Sequence, residues 1–200
     1  SVNTIRRQFA MKNTMGYGIN SLLDFETPLE IARHLMIGSE GTLGFVTSAT
    51  FRTIPVAPHA ASALAIFPTL REATAALPDL VAAGFAAIEL MDAQSLRVAQ
   101  TLPEATPEIL ELDVTGQAAL LLELQDATAG GVGGKIEAVA PLLASLPLTS
   151  PTQATSHGPT RARLWHIRKG LYTTVAGHRN PGATALLEDI VVPVPTLLDT

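Results

Sequence analysis

The sequence predicts an α+β protein in two parts, a short glycine-punctuated segment over residues 1–56 and a sheet-and-helix segment over residues 57–200. Three observations predict it. A polar turn, Gly38-Ser39-Glu40-Gly41-Thr42-Leu43-Gly44, leads into alternating apolar and polar residues from 45 to 53. Pro55 and Pro58 bracket a stiff, extended connector of the kind that separates domains. Beyond it, short apolar runs alternate with helical periodicity, which suits an antiparallel or mixed sheet carrying helices on one face.

In the first part, a polar lead and a turn around Gly16-Tyr17-Gly18 precede a helix opened by Thr27-Pro28. That helix runs through Glu30, Ile31 and Leu35 and ends at Gly38. Val46, Ala49, Phe51 and Ile54 predict a strand over 45–53 whose apolar residues anchor the turn in a core. In the second part, strands are expected over 63–67, 86–91 and 118–124. Helices are expected over 69–83, closed by Gly84, from an Asp92 cap to Val98, over 135–146 and over 159–175. Residues 101–116 carry prolines and acids without periodicity and read as an irregular excursion. The glycine run from 130 to 134 reads as a flexible lead into its helix, since it lacks the Gly-Lys-Ser/Thr ending of a nucleotide loop. A weak strand near 153–155, another over 183–192 and a helix entered at Val194 complete the series.

With 200 residues, of which 47% are hydrophobic and 16% charged, the chain can bury one good-sized core or two small ones. A net charge of −5 supplies no cationic field, which argues against a nucleic-acid partner. The absence of cysteine excludes a disulfide framework, a thiolate nucleophile, Cys-ligated zinc and an iron–sulfur cluster within these residues. The apolar run from Ala118 to Leu122 is far short of the ~20 residues that cross a bilayer, and the first residues lack a signal-peptide pattern. The cytoplasm is therefore the default setting. Ser1 opens without a methionine and the chain stops at Thr200 as a helix begins, so it reads as a piece of a longer protein.

Glycines at 38, 41 and 44 let a backbone come close to a flat or phosphorylated ligand, with backbone N–H groups and the Thr42 hydroxyl as sensible donors. Glycines before a strand also mark a tight turn or bulge that binds nothing. The full string Glu-Gly-Thr-Leu-Gly, followed by Phe45 and Val46, resembles the flavin-contacting segment of the FAD-linked oxidases related to vanillyl-alcohol oxidase. Within that superfamily it is most similar to the D-2-hydroxyacid dehydrogenases. The resemblance implies FAD as cofactor and Glu40, Gly41, Thr42, Leu43, Gly44, Phe45 and Val46 as part of its site. Upstream, Lys12-Asn13-Thr14-Met15-Gly16-Tyr17-Gly18-Ile19 resembles the segment that precedes the glycine turn in these enzymes. A hydrogen-bonded loop with Asn13 and Tyr17 serving structure is the other reading. The insert from Leu22 to Leu35 is similar to that of larger bacterial members, in which a flavin domain and an iron–sulfur domain share one chain.

Leu164-Trp165-His166-Ile167-Arg168-Lys169 contains the chain's single tryptophan. An arginine on an amphipathic helix is commonly a solvated or ion-paired surface group. The stretch also resembles the Leu-Trp-x-x-Arg motif of the cap domain, whose arginine holds the substrate carboxylate, and this implies Arg168 as the substrate-binding residue. A planar guanidinium can clamp a carboxylate through two parallel hydrogen bonds, whereas Lys169 offers only a point charge. Some relatives add a lysine at the position of Leu187, so that second basic contact is absent or supplied otherwise. The histidines at 34, 59, 157, 166 and 178 have no metal-ligand spacing and predict no metal site. The resemblance puts the metal-binding and proton-abstracting histidines further along the cap domain, so no catalytic residue is assigned within this chain.

The resemblance implies the C-terminal end of a PCMH-type FAD-binding domain over 1–56 and the N-terminal part of a ferredoxin-like cap domain over 57–200, both incomplete. The implied reaction oxidises D-lactate, glycolate or D-2-hydroxyglutarate to the 2-oxo acid by hydride transfer to flavin. Its implied partners are the remainder of the two domains and an iron–sulfur domain or other electron acceptor, through which membrane association is compatible. The 200 residues alone are expected to bind FAD weakly or not at all and to lack turnover. Two other readings stay open: a non-catalytic binding or assembly module, and an FAD oxidase acting on an alcohol or sugar.

Overall fold

The computed structural model describes residues 1–12, 16–177, 182–183 and 191–199. They divide into two compact units, one holding the described residues of Ser1–Ile54 with 191–196 and the other 55–177, 182–183 and Leu197–Asp199.

In the first unit the polar lead folds as α1 (Val2–Phe9), followed by α2 (Ser21–Asp24) and α3 (Pro28–Met36). Thr27 caps α3: its hydroxyl oxygen accepts the Glu30 N–H at 3.3 Å, and its own O–H donates to the Glu30 carboxylate at 3.0 Å. Pro28 occupies the first turn, where its missing N–H leaves no bond unmade. The helix closes at Ile37, and Gly38 redirects the chain at φ +78°. The strand expected over 45–53 is not formed; those residues run as irregular chain without a ladder partner among the described residues. Val46, Phe51 and Ile54 are 59%, 83% and 85% exposed instead of anchored in a core, and Ala49 is exposed too. Alternation decides which face a strand buries, but its backbone groups still need a neighbour, and this unit offers none among its described residues.

The second unit is built on β1 (His59–Phe67), β2 (Ala87–Met91) and β3 (Ala118–Asp126), an antiparallel sheet in the order β1-β3-β2. β3 pairs with β1 from Ala118 opposite Phe67 to Asp126 opposite His59, and with β2 from Ala119 opposite Met91 to Glu123 opposite Ala87. β1 and β2 are therefore parallel with β3 between them, and α4 (Leu70–Ala75) and α5 (Leu77–Ala82) make the crossover of a split β-α-β unit. α6 (Ala93–Ala99) and α7 (Pro107–Leu110) lead into β3, and α8 (Ala129–Ser145) and α9 (Gly158–Gly177) follow it.

Side chains alternate across the sheet, so each strand feeds two cores. Ala65, Phe67, Leu120 and Leu122 pack with Ala73, Leu80, Val139 and Leu143 on α4, α5 and α8. Ile66, Met91, Ala119 and Leu121 pack with Leu96, Ile109, Leu164 and Ile167 on α6, α7 and α9. Helices thus cover both faces of the sheet, not one. That is why β3 is buried over residues 118–124 and reads as a continuous apolar run instead of an alternating one. Leu120, Leu121 and Leu122 have no exposed surface, and each such burial is worth about 1.5–3 kcal/mol.

Other expectations are refined. The helix expected over 69–83 divides at Ala76, because Pro78 has no N–H to continue the ladder and its ring crowds the preceding turn. The glycine run lies inside α8, not ahead of it. Thr128 caps the helix by accepting the Gly131 N–H at 2.9 Å, and Asp126, which pairs with Lys135 at 3.1 Å, fills the space that a Cβ on Gly131 would take. Asp92 caps α6 as expected, its carboxylate accepting the Ser95 N–H at 2.7 Å. Residues 101–116 enclose α7 with a buried Ile109, and side chains hold the rest: Gln100 donates to the Ile109 and Leu112 carbonyls, Arg97 to those of Val114 and Thr115. The weak strand near 153–155 reduces to a bridge between Ser62 and Thr155. Val194–Asp199 is a 3-10 helix. Most of the strand expected over 183–192, with Leu187 and His178, lies outside the described residues.

Candidate functional site

The glycine turn is built onto the end of α3. Ser39 is buried and donates to the Met36 carbonyl at 2.9 Å, and its own carbonyl accepts the Thr42 N–H at 2.9 Å and the Thr42 O–H at 2.6 Å. Gly38, Glu40 and Gly41 take φ of +78°, +50° and +83°. Only Glu40 among them carries a side chain, and the left-handed region is uncommon for such a residue. The space for a Cβ at Gly38 is taken by the Gly16 carbonyl oxygen, and the Tyr17 hydroxyl lies 2.8 Å from Thr42 Oγ1. The fold therefore brings the Gly16-Tyr17-Gly18 segment onto the glycine turn, two stretches more than twenty positions apart. Asn13, Thr14 and Met15 of the upstream motif lie outside the described residues.

One expected donor is corrected. The Thr42 hydroxyl spends its proton on the Ser39 carbonyl, so Tyr17 donates to Thr42 and no Thr42 O–H remains for a ligand. The backbone N–H groups of Gly41, Leu43, Gly44, Phe45 and Val46 have no partner among the described residues. These residues are exposed apart from the half-buried Gly44, and nothing lies within 4 Å of the Cβ position of Gly41. A run of open amides on a backbone free of side-chain bulk fits the acceptor atoms of a flavin nucleotide. Gly44 packs against the Met36 side chain, whose terminal methyl would have to shift to admit a Cβ there. Val46 lines a cleft of about 1040 Å³ with Phe25, Arg33, Met36, Phe51 and Arg52, and a second cleft of about 600 Å³ is lined by Gly16, Gly18, Phe25, His34 and Gly38.

Arg168 stands on α9 in the second unit. Residues 161, 164, 165 and 168 follow the i, i+3, i+4, i+7 spacing of one helix face. Register places Glu123 opposite Ser62 and Glu89 opposite Leu121, so both acids share the sheet face that α9 covers. Arg161 Nη2 donates to Glu123 Oε2 at 3.1 Å, and Arg168 donates through both Nε and Nη2 to Glu89 Oε2 at 2.9 Å. Trp165 Nε1 donates to Ser62 Oγ at 3.2 Å, and Ser62 in turn donates to Glu123 Oε2 at 3.2 Å. Burial alone would raise the Glu123 pKa. Hydrogen bonds from Gln125 and Arg161, the nearby Trp165 N–H and the Arg161 charge outweigh it and hold the carboxyl below its usual value.

The two arginines are not equivalent. The Glu123 side chain is 9% exposed, whereas Arg168 and Glu89 are 39% and 34% exposed. Among the described residues, Nη1 of Arg168 and Oε1 of Glu89 have no partner. Arg168 thus keeps one open guanidinium edge while Glu89 holds the other. Reading the sequence missed Glu89 and the Glu123 network. Their signal was a lone acid within each of two otherwise apolar strand patterns, Ala-Ile-Glu-Leu-Met and Leu-Leu-Leu-Glu-Leu.

Open amides on a glycine turn and an arginine with a free edge have the chemistry of a protein that binds hydrogen-bond-accepting, anionic ligands. Residues 56–200 match the family described as FAD linked oxidases, C-terminal domain, and the chain belongs to that family of FAD-dependent oxidoreductases. It is similar to the glycolate oxidase subunit GlcD of Escherichia coli K12, at 32% identity over 143 residues, 70% of this chain and 27% of that protein. It is 28% identical over 172 residues to a probable mitochondrial D-lactate dehydrogenase of Danio rerio, covering 82% of this chain and 31% of the relative. A mitochondrial D-lactate dehydrogenase (cytochrome) of Kluyveromyces lactis is 26% identical over an alignment of 209 residues, 99% of this chain and 32% of the relative. The chain spans about a third or less of these curated relatives.

Proposed function

We propose that the complete protein is an FAD-dependent dehydrogenase that oxidises a D-2-hydroxy acid, such as D-lactate, glycolate or D-2-hydroxyglutarate, to the 2-oxo acid. In this reading residues 1–56 belong to its FAD-binding domain and 57–200 to its substrate-binding cap. The observation that carries it is Arg168: in a member of the FAD-linked oxidases, a partly exposed guanidinium on a core-anchored helix keeps one edge without a partner among the described residues. The acids named for the relatives share a carboxylate beside a hydroxyl-bearing carbon, and an arginine is the side chain best shaped to hold that carboxylate.

The turn donates backbone N–H groups from Gly41 and from Leu43 to Val46 towards the cofactor, while Ser39 and Thr42 fix its shape. Arg168 binds and orients the substrate through its carboxylate. When bound, FAD supplies the acceptor for the hydride leaving the substrate α-carbon. With no cysteine in these 200 residues, an iron–sulfur cluster serving as electron acceptor would be held outside them. Among the described residues no helix is long and apolar enough to cross a membrane; the proposed setting is the cytoplasm, with any membrane contact made by the electron-transfer partner.

The test is dye reduction by the full-length flavoprotein. It should turn over D-lactate or glycolate, and Arg168→Ala should raise KM roughly ten- to a hundredfold while flavin content holds, as loss of a charge-assisted hydrogen-bonded contact does. An unchanged KM removes Arg168 from the site. Turnover of a carboxylate-free alcohol or sugar that ignores the substitution would mark an oxidase of a different substrate class.

A further inference from the structure

We infer that Glu89 is a positioning residue that sets the guanidinium of Arg168 for a substrate carboxylate, an inference that rests on the reading of Arg168 as the carboxylate clamp. An unbraced arginine explores many rotamers, and each must be given up when a ligand binds. Here Nε and Nη2 both donate to one oxygen, Glu89 Oε2, at 2.9 Å. That contact fixes the plane and direction of the guanidinium and uses its side edge. The end edge, Nη1 with the second Nη2 hydrogen, is left for a second carboxylate to meet with two parallel bonds.

Both partners sit on rigid supports. Glu89 is two residues from the buried Met91 at the end of β2, and Arg168 follows the buried Ile167 on α9. A site held on such elements keeps its geometry when the ligand arrives. The neighbouring pair shows what a purely structural version looks like: Glu123 is enclosed by Arg161, Gln125 and Ser62. The Arg168–Glu89 pair is more than a third exposed on both sides and recruits no third side chain among the described residues, so it adds little to stability and its geometry is its main product.

Glu89 also competes with substrate for positive charge, and this sets the sign of the test. Preorganisation predicts that removing Glu89 weakens substrate binding; competition predicts that removal strengthens it. In the full-length holoenzyme with D-lactate as probe, Glu89→Ala should raise KM about tenfold with a smaller change in kcat. Glu89→Gln should raise it less, because its amide oxygen still accepts. On an Arg168→Ala background, Glu89→Ala should add nothing. A fall or no change in KM for Glu89→Ala, with Arg168→Ala still raising it, overturns the positioning role alone, as does a Glu89 effect that persists without Arg168. If Arg168→Ala leaves KM normal, the clamp itself is wrong and the role of Glu89 goes with it.

Discussion

Gly38→Ala probes the turn on which the proposed flavin site depends. Position 38 has φ +78°, where a side-chain-bearing residue costs about 1–2 kcal/mol. The new Cβ would also meet the backbone carbonyl oxygen of Gly16, which no rotamer change can move aside. Overpacking of that kind adds about 1–3 kcal/mol, so the native turn should lose about 3 kcal/mol relative to its alternatives. That is a factor of roughly 100 in the equilibrium between the native turn and its alternatives, and it sets the upper limit on the fall in apparent FAD affinity. The assay strips FAD from full-length wild type and variant, then titrates it back while following flavin fluorescence. Gly116→Ala is the control, since nothing lies within 4 Å of its Cβ position. A Gly38→Ala protein with wild-type FAD affinity and wild-type melting temperature would refute the reasoning.

Three further outcomes follow from the same contacts. Because the folded pKa of Glu123 lies below its ordinary value of 4.5, its contribution to stability is present above that value and is lost as pH falls through the folded value. Urea unfolding should therefore show stability dropping below pH ~4.5, with Glu123→Gln less stable at neutral pH and flatter across that acid window. Leu121→Ala, at a fully buried position opposite both Leu64 and Glu89, should cost about 3 kcal/mol in the same measurement. Tyr17→Phe deletes the donor to Thr42 at an exposed site and should lower stability by about 1 kcal/mol or less, with flavin affinity reduced less than by Gly38→Ala.

The parts of the fold that were legible in the sequence are those whose physics is local. Thr27-Pro28 and Asp92 announce helix starts because capping needs only neighbouring residues, and the five apolar residues opening β3 announce a buried strand because little else suits both its faces. The stretch 45–53 misled because alternation is necessary for a half-buried strand but does not supply the neighbouring strand. The glycine run misled for the opposite reason: its intrinsic helix preference is poor, yet the Thr128 cap and the Asp126–Lys135 pair carry a helix through it. At the candidate site, Arg168 was visible as a residue type at a motif spacing. Its partner was not, since Glu89 and Arg168 are 79 positions apart and meet only through β2 register and the helix face of α9.

The most direct test of the account is anaerobic mixing of the full-length holoprotein with D-lactate or glycolate while the visible absorption of the flavin is followed. The band should bleach as the substrate is oxidised, and Arg168→Ala should shift the half-saturating concentration upward at least tenfold while the protein keeps its flavin. A holoprotein whose flavin stays oxidised with every 2-hydroxy acid tried, or an Arg168→Ala variant that bleaches at wild-type concentrations, would contradict it.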